Sequence, residues 1–298
     1  MIEAIGITKR FGSLTALDGL STRVPEGSIY GLVGPNGSGK STLLRLMAGV
    51  YRPDAGQLLL GKEPIFGDPA AKGRVFFLPD DLWAPQGATL EEMARFYAGV
   101  YPAFHWEEYR RLLELFQADP KKRLSALSKG LRRQAAMLLA LSCRTPCLLL
   151  DEVFDGLDPV ARRKVKKLLY QEIDARGVTV VISSHDLREL EDLCDRVALL
   201  HRGQIRLERG LDELKQGFCK VQAAFRQPVD WGETGLDILE RQQQGDLASL
   251  LVRGGVEETL AALERHQPLF AQAVPMTLEE IFIGEMEAAG YDCNDILS

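Results

Sequence analysis

Eight residues constrain this chain more than anything else in it. Gly34-Pro35-Asn36-Gly37-Ser38-Gly39-Lys40-Ser41 matches the spacing GxxxxGK[ST] in full. The apolar run Ile29–Val33 before it reads as a strand. The residues from Lys40 to about Val50 read as a helix that stops in the breaker cluster Tyr51–Gly56. Strand, glycine-rich loop and helix in that order make a phosphate cradle. The glycines let the backbone wrap so that several N–H groups aim at one anion, and the helix start adds its positive dipole end. In such a cradle Lys40 reaches the β and γ phosphates, Ser41 takes Mg²⁺ through its hydroxyl, and Thr42 touches the α phosphate.

A phosphate loop needs a second anchor for the metal. Cys147-Leu148-Leu149-Leu150 is an apolar strand that ends in Asp151-Glu152. Asp151 is expected to hold Mg²⁺ through water, and Glu152 to polarise an attacking water as general base. The two motifs together imply a chain of phosphates and Mg²⁺ as ligands.

The rest of the chain alternates around these two motifs. Strands are expected at 2–8, 20–24, 57–60, 75–79, 178–183 and 197–200, with helices near 160–175 and 186–194. That order argues for a largely parallel sheet with helices on its faces. Residues 90–142 look different: three helical patterns in a row, the first opened by the capping box Thr89-Leu90-Glu91-Glu92. Beyond about 217 a second texture begins. Strands are predicted near 220–226, 247–252 and 269–274, and helices over 256–265 and from the second capping box at Thr277 through Met286.

Leu127-Ser128-Lys129-Gly130-Leu131-Arg132-Arg133-Gln134 is by itself only a helix start with a basic face. Beside the phosphate loop and Asp151-Glu152 it resembles the signature sequence of the ATP-binding cassette (ABC) family, usually LSGGQ. The resemblance runs to about residue 215. Phe11 lies where the family places an aromatic that stacks on adenine. Asp155-Gly156-Leu157-Asp158 resembles the D-loop, and His185, after Ile182-Ser183-Ser184, resembles the switch histidine that contacts the γ phosphate. The resemblance implies a P-loop cassette: a mostly parallel core sheet, an antiparallel β subdomain and an inserted helical subdomain at about 88–143. These fill residues 1–215, followed by a small α/β accessory domain over 216–298. It also implies that Ser128, Gly130 and Asp158 join the ATP site across a dimer, with Glu152, His185 and Lys40 carrying hydrolysis.

Three positions depart from the family pattern. Lys129 and Leu131 replace Gly and Gln, and the Lys129 charge is expected to favour the phosphate side. Asp80 stands in the Q-loop position where Gln is usual. A carboxylate cannot donate as an amide does, which puts a metal contact from Asp80 in doubt. Val153 replaces the Pro that usually follows the glutamate.

Composition narrows the functional classes. The 298 residues carry 36 Lys and Arg against 42 Asp and Glu, a formal charge of -6, which disfavours nucleic acid as a partner. The basic run Arg162–Lys167 reads as the solvated face of a helix. Five cysteines without a CxxC give no zinc or disulfide framework. His105, His201 and His266 read as structural, and Glu257, Glu258, Glu279 and Glu280 as helix faces or caps. No apolar run reaches the roughly 18–20 residues that span a bilayer, and the first residues do not read as a secretory signal. The family resemblance therefore implies a peripheral position on the cytoplasmic side of the membrane. The partners would be an integral membrane permease and a second cassette, either a copy or a paralogue. Trp83 is a candidate anchor for the permease. The tail loosely resembles those of ABC-2-type exporters, in which a Leu-Glu-Glu-Ile-Phe helix such as Leu278–Phe282 is common. An ATP-binding regulatory module with little turnover and a soluble cassette ATPase not linked to transport remain alternatives.

Overall fold

The most apolar runs become strands covered on both faces. Every side chain of Ile29–Val33, Cys147–Asp151 and Thr179–Ser184 is buried. Strands sandwiched this way need no alternation, so they read in sequence as continuous apolar segments. The computed structural model describes residues 1–82, 84–227 and 229–288. The candidate anchor Trp83 and the fifth cysteine, Cys293, lie outside the described residues.

In chain order the first part contains β1 (Ile2–Phe11), β2 (Leu14–Val24), β3 (Ile29–Val33), α1 (Lys40–Met47), β4 (Ala55–Leu60), β5 (Glu63–Pro64), α2 (Pro69–Gly73) and β6 (Val75–Leu78). The helical stretch follows, with α3 (Leu90–Val100), α4 (Trp106–Phe116) and α5 (Lys129–Ser142). The alternation then resumes through β7 (Cys147–Asp151), α6 (Pro159–Arg176), β8 (Thr179–Ser184), α7 (Leu187–Leu190), β9 (Arg196–His201) and β10 (Gln204–Gly210). The last part holds α8 (Leu211–Gln216), β11 (Phe218–Ala224), β12 (Asp237–Gln244), β13 (Leu247–Arg253), α9 (Val256–Glu264), β14 (Phe270–Val274) and α10 (Leu278–Ala288).

The chain divides into two compact units. One is Met1–Glu189 with Leu193–Glu208; the other is Leu190–Asp192 with the chain from Arg209 onward. In the first unit a six-stranded sheet has the order β10-β9-β3-β8-β7-β6, with β9, β3, β8, β7 and β6 mutually parallel. A separate antiparallel sheet, β2-β1-β4-β5, supplies one wall of the main core. Ile2, Ile7 and Leu17 from that wall pack with Leu43, Leu44 and Met47 of α1 and with Leu149 and Val181 of the parallel sheet. Helix α1 is thereby clamped between two sheets, which fixes the loop that feeds it.

The helical stretch is tied down locally. Thr89 Oγ1 accepts from Glu92 N–H, and the Glu92 carboxylate accepts from Thr89 N–H at 2.8 Å, so the capping box is formed. Every side chain of α5 from Ala135 to Ser142 is buried.

The second unit is a four-stranded antiparallel sheet, β12-β13-β11-β14. Its own core gathers Val221, Ala223, Leu250 and Val252 of the sheet with Leu263 of α9.

Several elements differ from the sequence reading, among them the short β5, α2 and α8, which it did not include. The helix predicted over 186–194 shortens to the single turn of α7. Asp195 pulls the chain back to the sheet instead, because its carboxylate accepts from Ile29 N–H at 2.7 Å and its own N–H donates to the Ile29 carbonyl. Strands β10 and β12 are additions. β12 is an edge strand with the polar sequence Asp-Ile-Leu-Glu-Arg-Gln-Gln-Gln, so it shows no apolar alternation.

Candidate functional site

The carboxyl ends of β3, β7 and β8 lie side by side, with Val33 in register with Ser184 and Asp151 with Ser183. Crevices at the carboxyl ends of parallel strands are where this class of sheet binds ligands. The loop 34–39 leaves β3 there and turns directly into α1. Gly39, at the helix start, has φ 113, and a Cβ on it would meet the Ala16 carbonyl oxygen at 2.7 Å. No other residue type fits the turn.

Lys40 is 5% exposed. Its ammonium donates to the carbonyls of Gly34 at 2.6 Å and Pro35 at 3.2 Å, and stands 3.5 Å from Glu152 Oε1. Burial lowers its pKa, and the nearby Glu152 and Asp151 carboxylates oppose that shift. The ammonium is thus held at the mouth of the loop by two carbonyls and a carboxylate.

Asp151 is fully buried at the end of β7. Its Oδ1 accepts from the Ser41 hydroxyl at 3.1 Å and from the Ser183 hydroxyl at 2.6 Å. Its Oδ2 is buried and has no hydrogen-bond partner, and neither has the buried Ser38 hydroxyl. An orphaned carboxylate oxygen beside a serine hydroxyl is a hard-oxygen donor set of the kind that suits Mg²⁺. The residues present therefore fit the metal. Among the described residues no cluster of three or more His, Cys, Asp and Glu could hold a metal by protein ligands alone. A Mg²⁺ site with few protein ligands, completed by water and phosphate oxygens, has no need of one.

Glu152 has φ 49, a left-handed conformation that non-glycine residues adopt sparingly. Its Oε2 lies 2.9 Å from His185 Nδ1. Lys40, Glu152 and His185 therefore form one contiguous chain of contacts, with His185 half-exposed at its outer end.

The remaining sequence-predicted residues fall elsewhere. Phe11 ends β1. Its ring is exposed, edge-on to Tyr51 at 5.4 Å, with the Lys9 ammonium 5.4 Å from its centroid. Ser128 is the N-cap of α5, and Asp158 is the N-cap of α6, accepting from Val160 and Ala161 N–H at 2.9 and 2.8 Å. A Cβ on Gly130 would lie 2.5 Å from the Gly156 carbonyl oxygen. The signature stretch is packed against the D-loop stretch of the same chain, and that contact requires glycine.

The two departures with charge are both paired inside the chain. Lys129 Nζ sits 2.5 Å from Asp155 Oδ2, so its charge goes to the D-loop stretch rather than standing free for phosphate. This pairing raises the Lys129 pKa and holds the Asp155 carboxyl below its ordinary value. Asp80 Oδ1 accepts from the buried Arg133 guanidinium at 2.5 Å, and Arg133 also bonds the Pro79 carbonyl. Asp80 is thus tied to α5, beside a cleft of about 380 Å³ that Lys129, Arg132 and Arg133 also line.

The basic run is used internally as well. Arg162 pairs with Glu189 at 3.1 Å, Lys164 donates to the Leu115 carbonyl, and Lys166 lies over the Phe154 ring. Sequence reasoning passed over Ser183, Ser184 and Glu189. Ser183 could have been found from its place: it is the penultimate residue of a buried strand next to the one that ends in Asp151, and in register with that residue.

Comparison with known proteins agrees with this geometry. Residues 17–155 match the family model described as ABC transporter. The chain is 30% identical to the ABC transporter ATP-binding protein YtrB of Bacillus subtilis, over 96% of this chain and 98% of that one. It is 30% identical to the bacitracin transport ATP-binding protein BcrA of Bacillus licheniformis, over 72% of each. A solved structure of an ATP-binding subunit of an ABC transporter superposes with a TM-score of 0.66 at 26% identity, covering 72% of this chain and 92% of that one. The phosphate loop on β3, the paired acidic residues at the end of β7 and the likeness to YtrB along nearly the whole chain have one meaning: this chain belongs to the ABC transporter family, as one of its ATP-binding subunits.

Proposed function

We propose that this subunit hydrolyses ATP in a Mg²⁺-dependent reaction and that the cycle drives export through a separate integral membrane permease. The observation that carries the reading is the arrangement at the ends of β7 and β8. Asp151 faces Ser41 with one oxygen and keeps a second, buried oxygen unpartnered, while Glu152 reaches both Lys40 and His185.

In this reading the loop 34–39 wraps the phosphates through its backbone N–H groups, and Lys40 leaves the Gly34 and Pro35 carbonyls to contact the β and γ phosphates. Mg²⁺ held at Ser41 and Asp151 would neutralise charge on those phosphates. Glu152 accepts the proton of the attacking water as its oxygen bonds to the γ phosphorus and the bond to the β-phosphate oxygen breaks. In this reading His185 orients Glu152 and contacts the γ phosphate, a role that its 2.9 Å approach to Glu152 Oε2 supports. Phe11 offers a ring face for adenine stacking. Ser128 and Gly130 of a second cassette, a copy or a paralogue, would close the site from the other side, with the start of that α5 turned to the γ phosphate. Loss of the γ phosphate removes the charge that holds the halves together.

Export is supported by relatives named for bacitracin transport and for linearmycin resistance. Among the described residues no helix is long and apolar enough to cross a membrane, so a membrane role runs through a partner. The ion pairs of Lys129 and Asp80 favour a second reading, a regulatory cassette with little turnover.

Glu152→Gln separates the two. If Glu152 is the base, the variant binds ATP, loses turnover by about 10²–10⁴-fold, and shifts from monomer to dimer with Mg-ATP in light scattering. Wild-type turnover already as low as the variant's would favour the regulatory reading. A variant that turns over normally would move the base elsewhere.

A further inference from the structure

We infer that Ser183 is a positioning residue for hydrolysis: its one hydroxyl sets both the carboxylate of Asp151 and the backbone of Glu152. The inference rests on the assignment of those two residues as metal anchor and base.

Ser183 is fully buried in β8, following the apolar residues Val180, Val181 and Ile182. A hydroxyl there costs stability unless it is bonded, and this one is bonded twice. Glu152 N–H donates to Ser183 Oγ at 3.0 Å. The oxygen is therefore an acceptor on that side, and the hydroxyl hydrogen is left for Asp151 Oδ1 at 2.6 Å. That is the shorter of the two hydroxyl bonds to Oδ1, the other coming from Ser41 at 3.1 Å.

Two consequences follow for the two roles. The carboxylate plane of Asp151 is set by Ser183, and with it the position of the unpartnered Oδ2. The left-handed backbone of Glu152, at φ 49, is held by a side chain as well as by the strand, since its N–H also reaches the Ser183 carbonyl at 3.2 Å. The carbonyl bond does not depend on the side chain. Removing the hydroxyl should therefore leave the fold in place and loosen the two acidic residues. Partners that orient a ligand from behind are worth about 10–100-fold in metal affinity or activity.

The test compares Ser183→Ala and Ser183→Thr with wild type in the full chain. Ser183→Ala should lower kcat by about 10-fold or more, raise the Mg²⁺ concentration for half-maximal turnover several-fold, and leave KM for ATP within about 3-fold. Mn²⁺ binding to the ADP complex, read by electron paramagnetic resonance without turnover, should weaken in parallel. Ser183→Thr, which keeps the hydroxyl on a residue suited to strands, should restore kcat and metal binding. Wild-type kcat and metal binding in Ser183→Ala would overturn the inference. So would a loss of activity that only tracks a loss of folded protein in melting curves. Glu152→Gln is run alongside. If it turns over normally, the base assignment fails, and Ser183 is then judged by the Mn²⁺ measurement alone.

Discussion

Glu189 shows how one side chain can report on the site without touching nucleotide. It is 6% exposed, and burial raises its pKa above the ordinary carboxylate value, near 4.3. The Ser184 hydroxyl at 2.7 Å and the Arg162 guanidinium at 3.1 Å pull the other way, while Asp186 and Glu152 add to the rise. A carboxyl whose folded pKa is raised holds more protons in the folded state than in the unfolded one. Its favourable contribution is complete below the unfolded value and is lost as pH rises through the folded value. We expect the melting temperature of wild type, relative to Glu189→Gln, to decline as pH rises upward from about 4.3. Carboxylates with lowered pKa, such as Asp155, change stability in the opposite sense as pH falls, so only the difference between the two proteins isolates Glu189. A pH-independent difference would show that Ser184 and Arg162 balance burial, and a difference that grows as pH rises would show that they outweigh it. None of this was legible in the sequence, where Glu189 is one acidic residue among several in a helical pattern. Its partners are Arg162 of α6, which is distant along the chain, and Ser184 at the end of β8. The conformation of the loop 34–39, by contrast, was legible, because Gly34, Gly37 and Gly39 take backbone angles that few residue types permit.

At the scale of elements, the sequence showed most clearly those that carry their own stop and start signals. The capping box at Thr89 announced α3, and Gly39-Lys40 announced α1. Elements decided by neighbours were not legible: α7 is cut short by Asp195 bonding to β3, and β12 has no apolar face to betray it. Helix starts also bear on the site, because α1, α5 and α6 begin beside residues expected to meet nucleotide. Asp158 makes the point testable. Its Oδ1 satisfies two N–H groups at the start of α6. Asp158→Ala should therefore cost about 1 kcal/mol of stability, while Asp158→Asn, an equally good cap, should cost little. Turnover should follow the cap, falling modestly in Ala and staying near wild type in Asn. If Asn keeps stability but loses turnover, the carboxylate itself meets nucleotide, as the family resemblance implies.

At the scale of the molecule, an apolar cluster stands out in each of the two units among the described residues. One joins the antiparallel sheet, α1 and the parallel sheet; the other lies between the second antiparallel sheet and α9. The residues proposed for ATP and Mg²⁺ all belong to the first unit. Separate cores melt as separate cooperative units unless something couples them, so one unfolding free energy is not expected to describe this chain. We expect two calorimetric transitions. Mg-ADP at about 100 times its Kd should add about 2.7 kcal/mol to the unit that binds it and leave the other transition in place. Leu250→Ala, at a fully buried position in the second core, should do the reverse, costing about 2–5 kcal/mol in the transition that nucleotide does not move. A single transition displaced by both treatments would mean that the two units fold as one. Nucleotide binding would then be felt throughout the second unit, which would make that unit a place from which the ATPase can be regulated. If the transitions respond separately, the two units fold independently in this chain, and the same scan repeated with the proposed permease tests whether a partner couples them.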